Sequence, residues 1–234
     1  MPRLIAAIVR HGQYRQLPDT PSAHQPFPLV AEGEQQARQA AAQVLAQLHE
    51  LQLELHPQVD SSQLLRAWQT AQLMIEQLQE QFAQPPQLQG YDALAERGVG
   101  SAANLSIAQI EAIVREDPRY PDLPPDWKSN SRFRLPLQGA ESLLEAGERV
   151  AAHLRAQMAE LAGNTAIDTL KLFVGHGAAF RHAAYHLGVL EFEQIARLSM
   201  YHAQPVLLEY RADGPWRHVG GDWKVRPQHS EYTD

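Results

Sequence analysis

The 234-residue chain contains no cysteine, so disulfides, zinc–thiolate sites, iron–sulfur clusters and cysteine nucleophiles are all excluded. Long apolar runs are also missing. No stretch approaches the ~20 apolar residues that span a bilayer. The first such run, Leu4 to Val9, is six residues long and passes into Arg10-His11-Gly12 with no small-residue cleavage site. A soluble cytoplasmic protein without a targeting segment is the expectation. Basic excess is lacking as well: 20 Lys and Arg stand against 27 Asp and Glu, for a formal net charge of −7. That balance argues against a nucleic acid or an anionic membrane as the main partner, without excluding a small anionic substrate.

The 44% of hydrophobic residues suffices for a core of ordinary size, and the length fits one α/β domain over 1–234. Leu4 to Val9 and Leu170 to Val174 are short continuous apolar runs, as expected of strands buried on both faces. Helical spacing marks 31–55 through Val44, Leu48, Leu51 and Leu55, with Gln35, Gln36, Gln39, Gln43 and Gln47 forming a solvated face. A second helix follows Val59-Asp60-Ser61-Ser62, with Ser61 or Ser62 as N-cap and Leu64, Ala67, Trp68, Ala71, Met74, Ile75 and Leu78 inward. Further helices are expected over 106–115, 142–161 and 180–187, and a hairpin turns at Asp213-Gly214. Prolines break up 117–136, which makes about 101–138 a candidate lid or excursion. The residues from about 221 to 234 read as a loose tail. Alternating strand and helix signals imply a three-layer α/β/α architecture around a mostly parallel sheet.

Both apolar runs end alike, in Val9-Arg10-His11-Gly12 and Val174-Gly175-His176-Gly177. Ligands of open α/β sheets bind beyond the carboxyl ends of the strands, so parallel strands bring both histidines to one rim. Gly12 and Gly177 would let backbone approach a ligand closely. Arg66 falls in the first turn of a helix, a place that favours a bound anion. Together Arg10, His11, Arg66 and His176 make a phosphate-sized anion site in an acidic chain. His182 and His186 stand four apart, but no acidic ligand accompanies them as in a His-Glu-x-x-His metal motif, so no metal is expected.

These residues resemble the histidine phosphatase superfamily in its phosphoglycerate-mutase-like branch. The family's opening Arg-His-Gly stands as Arg10-His11-Gly12. Its second block is matched by Ser62, Leu64, Arg66, Ala67 and Thr70, and its third by Leu94, Glu96, Arg97 and Gly100. Glu141-Ser142-Leu143 with Arg149, and His176-Gly177 with Arg181, complete five blocks in family order. The resemblance implies a phosphoglycerate-mutase-like fold and phosphoryl transfer through a phosphohistidine, without metal or cofactor. His11 would be the nucleophile. Arg10, Arg66 and His176 would hold the phosphoryl oxygens, and Glu96 would be general acid and base. Gly12, Gln13, Ser62, Arg97 and Gly177 are the implied substrate-binding residues.

Two departures separate the chain from the mutases of that family. The Ser-Glu-x-x-Asn pattern that follows Arg-His-Gly-Gln there is replaced by Tyr14-Arg15-Gln16-Leu17, and the Asn after the second His-Gly is Ala178. Both changes remove polar groups that would hold a phosphoglycerate. A phosphatase acting on a small phosphomonoester is therefore preferred over a mutase, and over an idle module that only binds phosphorylated ligands. Specificity should come from 14–28 and 117–136. The sequence leaves monomer and dimer both open.

Overall fold

The computed structural model describes residues 2–21 and 24–226. Its order is β1 (Leu4–Arg10), α1 (Ala31–Leu51), β2 (Glu54–Leu55), β3 (Gln58–Ser62), α2 (Leu65–Leu78), β4 (Gln87–Tyr91) and α3 (Ile107–Glu116). Then follow α4 (Leu143–Asn164), β5 (Thr169–Gly175), α5 (Gly177–His186) and α6 (Phe192–Arg197). The chain closes with β6 (Leu198–Ser199), β7 (Pro205–Glu209), β8 (Arg217–Gly220) and β9 (Lys224–Val225). One sheet runs β4-β3-β5-β1-β7-β8, with β2 also pairing β5. Its β4, β3, β5 and β1 are mutually parallel, while β7 and β8 are antiparallel additions at one side.

Alternation along β1 explains the layers. Ile5, Ala7 and Val9 pack with Val44 and Leu48 of α1 and with Met74 and Leu78 of α2. Leu4, Ala6 and Ile8 face Leu154 and Met158 of α4 and Phe180 of α5. Both sheet faces are thus covered by helices, which is why β1 and β5 read as unbroken apolar runs. The excursion after β4 carries a small core of its own, in which Val99, Ala102, Ile110, Trp127 and Leu135 are buried together. Capping boxes at Ser106 and Ser142 start α3 and α4.

Several expectations need correction. The first helix ends at Leu51, not near 55. Gln52 adopts a left-handed conformation (φ 54°) and Leu55 belongs to β2, although its spacing from Leu51 continues the helical pattern. Neither Ser61 nor Ser62 caps the second helix: the N-cap position is Leu64, which makes no side-chain cap. Trp68 is 42% exposed, because the buried stripe of α2 centres on Arg66, Ala67, Thr70, Ala71 and Met74 and leaves it outside. Helix α5 begins at Gly177, three residues before the expected start. The supposed tail is ordered at β9, which pairs antiparallel with β6, and its portion over 227–234 lies outside the described residues. Strand β4 and helix α6 carried no periodic signal and were not expected.

Candidate active site

The register of the central strands fixes the site. Arg10 of β1 pairs with Gly175 of β5, and the His11 amide donates to the Gly175 carbonyl at 3.0 Å. The two His-Gly turns therefore leave the sheet side by side, with the His11 and His176 ring centroids 5.1 Å apart. Arg66 reaches in from α2, fully buried, and bridges them. Its Nε donates to His11 Nε2 at 3.2 Å, its Nη2 lies 3.2 Å from His176 Nδ1, and its Nη1 donates to the Gln25 carbonyl at 2.9 Å. Arg10 donates from Nη1 to the Met200 carbonyl at 3.0 Å. The four residues read from the sequence as one cluster are thus brought together.

Each histidine has a defined tautomer. His11 Nδ1 lies 2.7 Å from the Gly12 carbonyl, which only accepts, so Nδ1 carries the proton and the Nε2 lone pair faces the arginine. His176 accepts from Arg66 at Nδ1, and its Nε2–H points to Ser62 Oγ at 2.9 Å. Burial first, then the positive charge of Arg66, the adjacent His176 ring, which cannot share a second charge, and the positive charge of Arg10 hold His11 well below the usual imidazole range. His176 is lowered in the same way, by burial first and then by Arg66 and Arg10. Both rings are neutral at physiological pH.

Glu96, 6% exposed, sits across the N-terminus of α5. Its Oε1 accepts from the Arg97 amide (2.9 Å) and the Ala179 amide (3.1 Å), and its Oε2 from the Ala178 amide (3.3 Å). The helix end thereby holds the carboxylate next to His176. A second layer braces the 92–98 segment. Arg149 donates to the carbonyls of Asp92, Ala93 and Ala95 and to Glu141, whose Oε1 accepts from the Gly98 amide.

The residues expected to bind substrate are placed differently. Gly12 donates its amide to Thr70 Oγ1 at 3.0 Å, and a Cβ there would come within 2.3 Å of the Gly33 carbonyl oxygen, so its glycine serves close packing of α1. The Gln13 amide goes to Gln36. Ser62 accepts from His176 and from the Leu64 amide. A Cβ on Gly177 would sit 3.0 Å from Arg10 Cδ, so this glycine makes room for the arginine. Arg97 alone opens onto a cavity of about 600 Å³, which runs from Glu96 and Ala178 to Trp127, Ser129 and Arg181. His182 and His186 hydrogen-bond to Ser131, Ala178 and Leu144 within the fold. Among the described residues no group of three or more metal-ligating side chains occurs, and no helix is long and apolar enough to cross a membrane.

Sequence reasoning placed Tyr14 in a loop expected to set specificity, and it missed His202. The Tyr14 ring lies 5.2 Å from the His11 ring and 4.5 Å from the Arg66 guanidinium. His202 Nδ1 lies 3.0 Å from the His11 carbonyl, and burial lowers its pKa to about 4. His202 arrives there because β7 pairs antiparallel with β1, which brings the residues just before β7 to the carboxyl rim of β1, a long-range pairing with no local signal.

A model of the histidine phosphatase superfamily (branch 1) matches residues 6–220. No match was found among curated proteins. Among solved structures, a mycobacterial hydrolase ("Mycobacterial hydrolase 2") aligns with a TM-score of 0.65 and 24% identity, over 98% of this chain and 93% of its own. A mycobacterial glucosyl-3-phosphoglycerate phosphatase gives 0.62 and 23%, over 96% and 98%. An alpha-ribazole phosphatase from Shigella flexneri gives 0.63 and 17%, over 94% and 95%. Likeness at these identities concerns the fold.

Proposed function

Because the chain belongs to branch 1 of the histidine phosphatase superfamily, we propose that it hydrolyses phosphomonoesters through a phosphohistidine on His11. The observation that carries this reading is the His11 tautomer. With Nδ1–H held by Gly12, the neutral ring turns its Nε2 lone pair toward the cluster of Arg66, Arg10 and His176. In the resting site the Arg66 Nε–H occupies that lone pair. When a phosphate ester enters, its nonbridging oxygens take over the guanidinium hydrogen bonds and free Nε2 to attack phosphorus in line.

The P–N bond forms as the ester P–O bond breaks, and the Glu96 carboxylate relays the proton of a monoanionic ester to the departing alkoxide oxygen. Water then attacks the phosphoryl group, Glu96 takes a water proton back, and the P–N bond breaks to release inorganic phosphate. Arg10, Arg66 and His176 stabilise the equatorial oxygens in both steps, a preorganised electrostatic contribution that needs no metal. Arg97 and the excursion at 101–138, through Trp127 and Ser129, would contact the leaving group in the adjoining cavity. Ala178 offers only a methyl group where a mutase would need a donor for a second acidic group. That favours water over substrate as the second acceptor.

The test is phosphoenzyme trapping. Wild-type protein mixed with a labelled phosphomonoester should give acid-labile, base-stable label on the chain and release inorganic phosphate. His11→Ala should give neither. Label retained in His11→Ala would refute the nucleophile, and label appearing in an isomeric ester instead of phosphate would establish the mutase.

A further inference from the structure

On the side of the rim away from the excursion lies a second cavity, of about 530 Å³, which the hydrolytic reading does not use. That size falls within the range of small-molecule sites, roughly 300–1,000 Å³. One wall is α1, whose Gln35, Gln39 and Gln43 recur every four residues on one face. Facing it is the 200–204 segment, with Tyr201, His202 and Gln204. Among the described residues, the side-chain amides of Gln35, Gln39, Gln43 and Gln204 make no hydrogen bond within the protein and face solvent. Tyr201 shows 39% of its surface, and the Lys224 ammonium lies 6.0 Å from its ring centroid.

The lining is selective by chemistry. Its formal side-chain charges are Glu32 on one wall, Lys224 on the other, and Arg10 at the floor, the last already given to the Met200 carbonyl. An anion finds little uncommitted positive charge there. An apolar ligand would find only Met200 and Ala203. Each glutamine offers both a donor and an acceptor, which is what a hydroxyl group, itself donor and acceptor, requires. Tyr201 adds an exposed aromatic face on which the C–H side of a sugar ring can lie. His202 gives its Nδ1–H to the His11 carbonyl and so leaves Nε2 as one more acceptor.

The backbone between these residues is strained. Ala203 is a buried non-glycine residue with φ 47°, held there by the hydrogen bond its amide N–H donates to the Arg10 carbonyl at 2.8 Å. A left-handed alanine is sterically disfavoured, and such outliers gather at ligand sites. Here the left-handed turn is what sets His202 and Gln204 on the same cavity. The geometry points to a subsite for a neutral, hydroxyl-rich ligand, a saccharide or polyol, walled by the α1 glutamines and Tyr201. Occupancy would reach the nucleophile through His202, which holds the His11 carbonyl.

Saturation-transfer NMR of the full chain with methyl α-glucoside tests this without turnover, so its failure is distinct from failure of the phosphatase reading. Wild-type protein should transfer saturation to the sugar ring protons. Gln39→Leu/Gln43→Leu keeps helix propensity and bulk while removing two amides, and it should weaken binding at least tenfold, ~1.4 kcal/mol. Tyr201→Ala should do the same, and a thermal melt checks that both variants are folded. No transfer to wild type, or equal affinity in the variants, overturns the assignment. A second arm identifies the source of the sugar. If KM rises in the double variant for a glycosyl phosphomonoester but not for p-nitrophenyl phosphate, the subsite holds part of the substrate. If both KM values stand while glucoside affinity falls, it takes a free saccharide; either outcome supports the subsite.

Discussion

Replacing Glu96 by Gln separates the two halves of the proposed cycle. The amide is the same size, so it can keep the Arg97 and Ala179 amides on its oxygen, at 2.9 and 3.1 Å in the parent. What it loses is the acceptor for the Ala178 amide, which then faces an NH₂, together with the negative charge at the α5 N-terminus. An unsatisfied buried N–H and the lost charge–dipole term together cost about 1–3 kcal/mol of stability. Typical domains hold ~5–15 kcal/mol, so the variant stays folded at 25 °C and its rate reports chemistry. Loss of general acid–base catalysis is worth ~10²–10⁴ in turnover, or about 2.7–5.4 kcal/mol of barrier. Rapid-quench kinetics should resolve where that loss falls. With an alkyl phosphate, phosphoenzyme formation itself slows, because the alkoxide needs a proton. With p-nitrophenyl phosphate the leaving group departs unaided, so a burst of nitrophenolate precedes slow hydrolysis and labelled phosphoenzyme accumulates. Equal slowing of the first step for both substrates, or no slowing at all, would refute Glu96 as acid and base.

Thr70→Val should cost about 1–3 kcal/mol in urea denaturation, because Thr70 Oγ1 accepts the buried Gly12 amide and donates to the Arg66 carbonyl. A change below 0.5 kcal/mol would show that the hydroxyl does not hold the nucleophile turn. Arg149→Met removes the bonds that brace 92–98, and it should lower kcat at least tenfold with KM for p-nitrophenyl phosphate nearly unchanged. Unaltered kcat would separate this brace from Glu96. Burial also lowers His182 to about 3 and His202 to about 4. Between pH 6.5 and these values the unfolded chain binds more protons than the folded one. Stability is therefore full above pH 6.5 and falls on acidification, by up to ~1.4 kcal/mol per pH unit for each histidine. Urea midpoints at pH 8, 6 and 5 should show the decline, and His202→Asn should make it shallower; a level profile in the wild type would refute the buried-neutral assignment.

The legible parts of the fold are those set by burial on both sides. Strands β1 and β5 announce themselves because each residue is apolar whichever face it takes, and their shared His-Gly endings then place His11 and His176 together. The boundary at Gln52 was hidden because Leu48, Leu51 and Leu55 satisfy helical spacing, while the chain stops through a left-handed glutamine, a residue with no special preference for that conformation. Ser62 looked like a helix cap because Ser before an apolar run usually is one. Its hydroxyl instead accepts from His176, a partner 114 residues away that local pattern cannot reveal. Tyr14, expected only as part of a specificity loop, and His202 were not placed against the nucleophile for the same reason. Each lies in a segment whose path is set by long-range pairing: Tyr14 bridges Leu29, and Ala203 is bound to Arg10.

The whole-chain charge of −7 and the buried cations of the site are compatible because the two act at different ranges. Within the pocket, Arg10 and Arg66 are stabilised by backbone carbonyls of Met200 and Gln25, by neutral imidazole nitrogen and by the nearby carboxylate of Glu96. Carbonyl dipoles compensate a desolvated guanidinium only in part, so a dianionic phosphoryl group is a better partner for the same donors. Neutral His11 and His176 keep the site from accumulating four full positive charges, which a buried cluster could not sustain. Outside the pocket the acidic surface repels polyanions over roughly a Debye length, ~8 Å at physiological ionic strength, so a small phosphate ester can reach donors that a nucleic acid cannot.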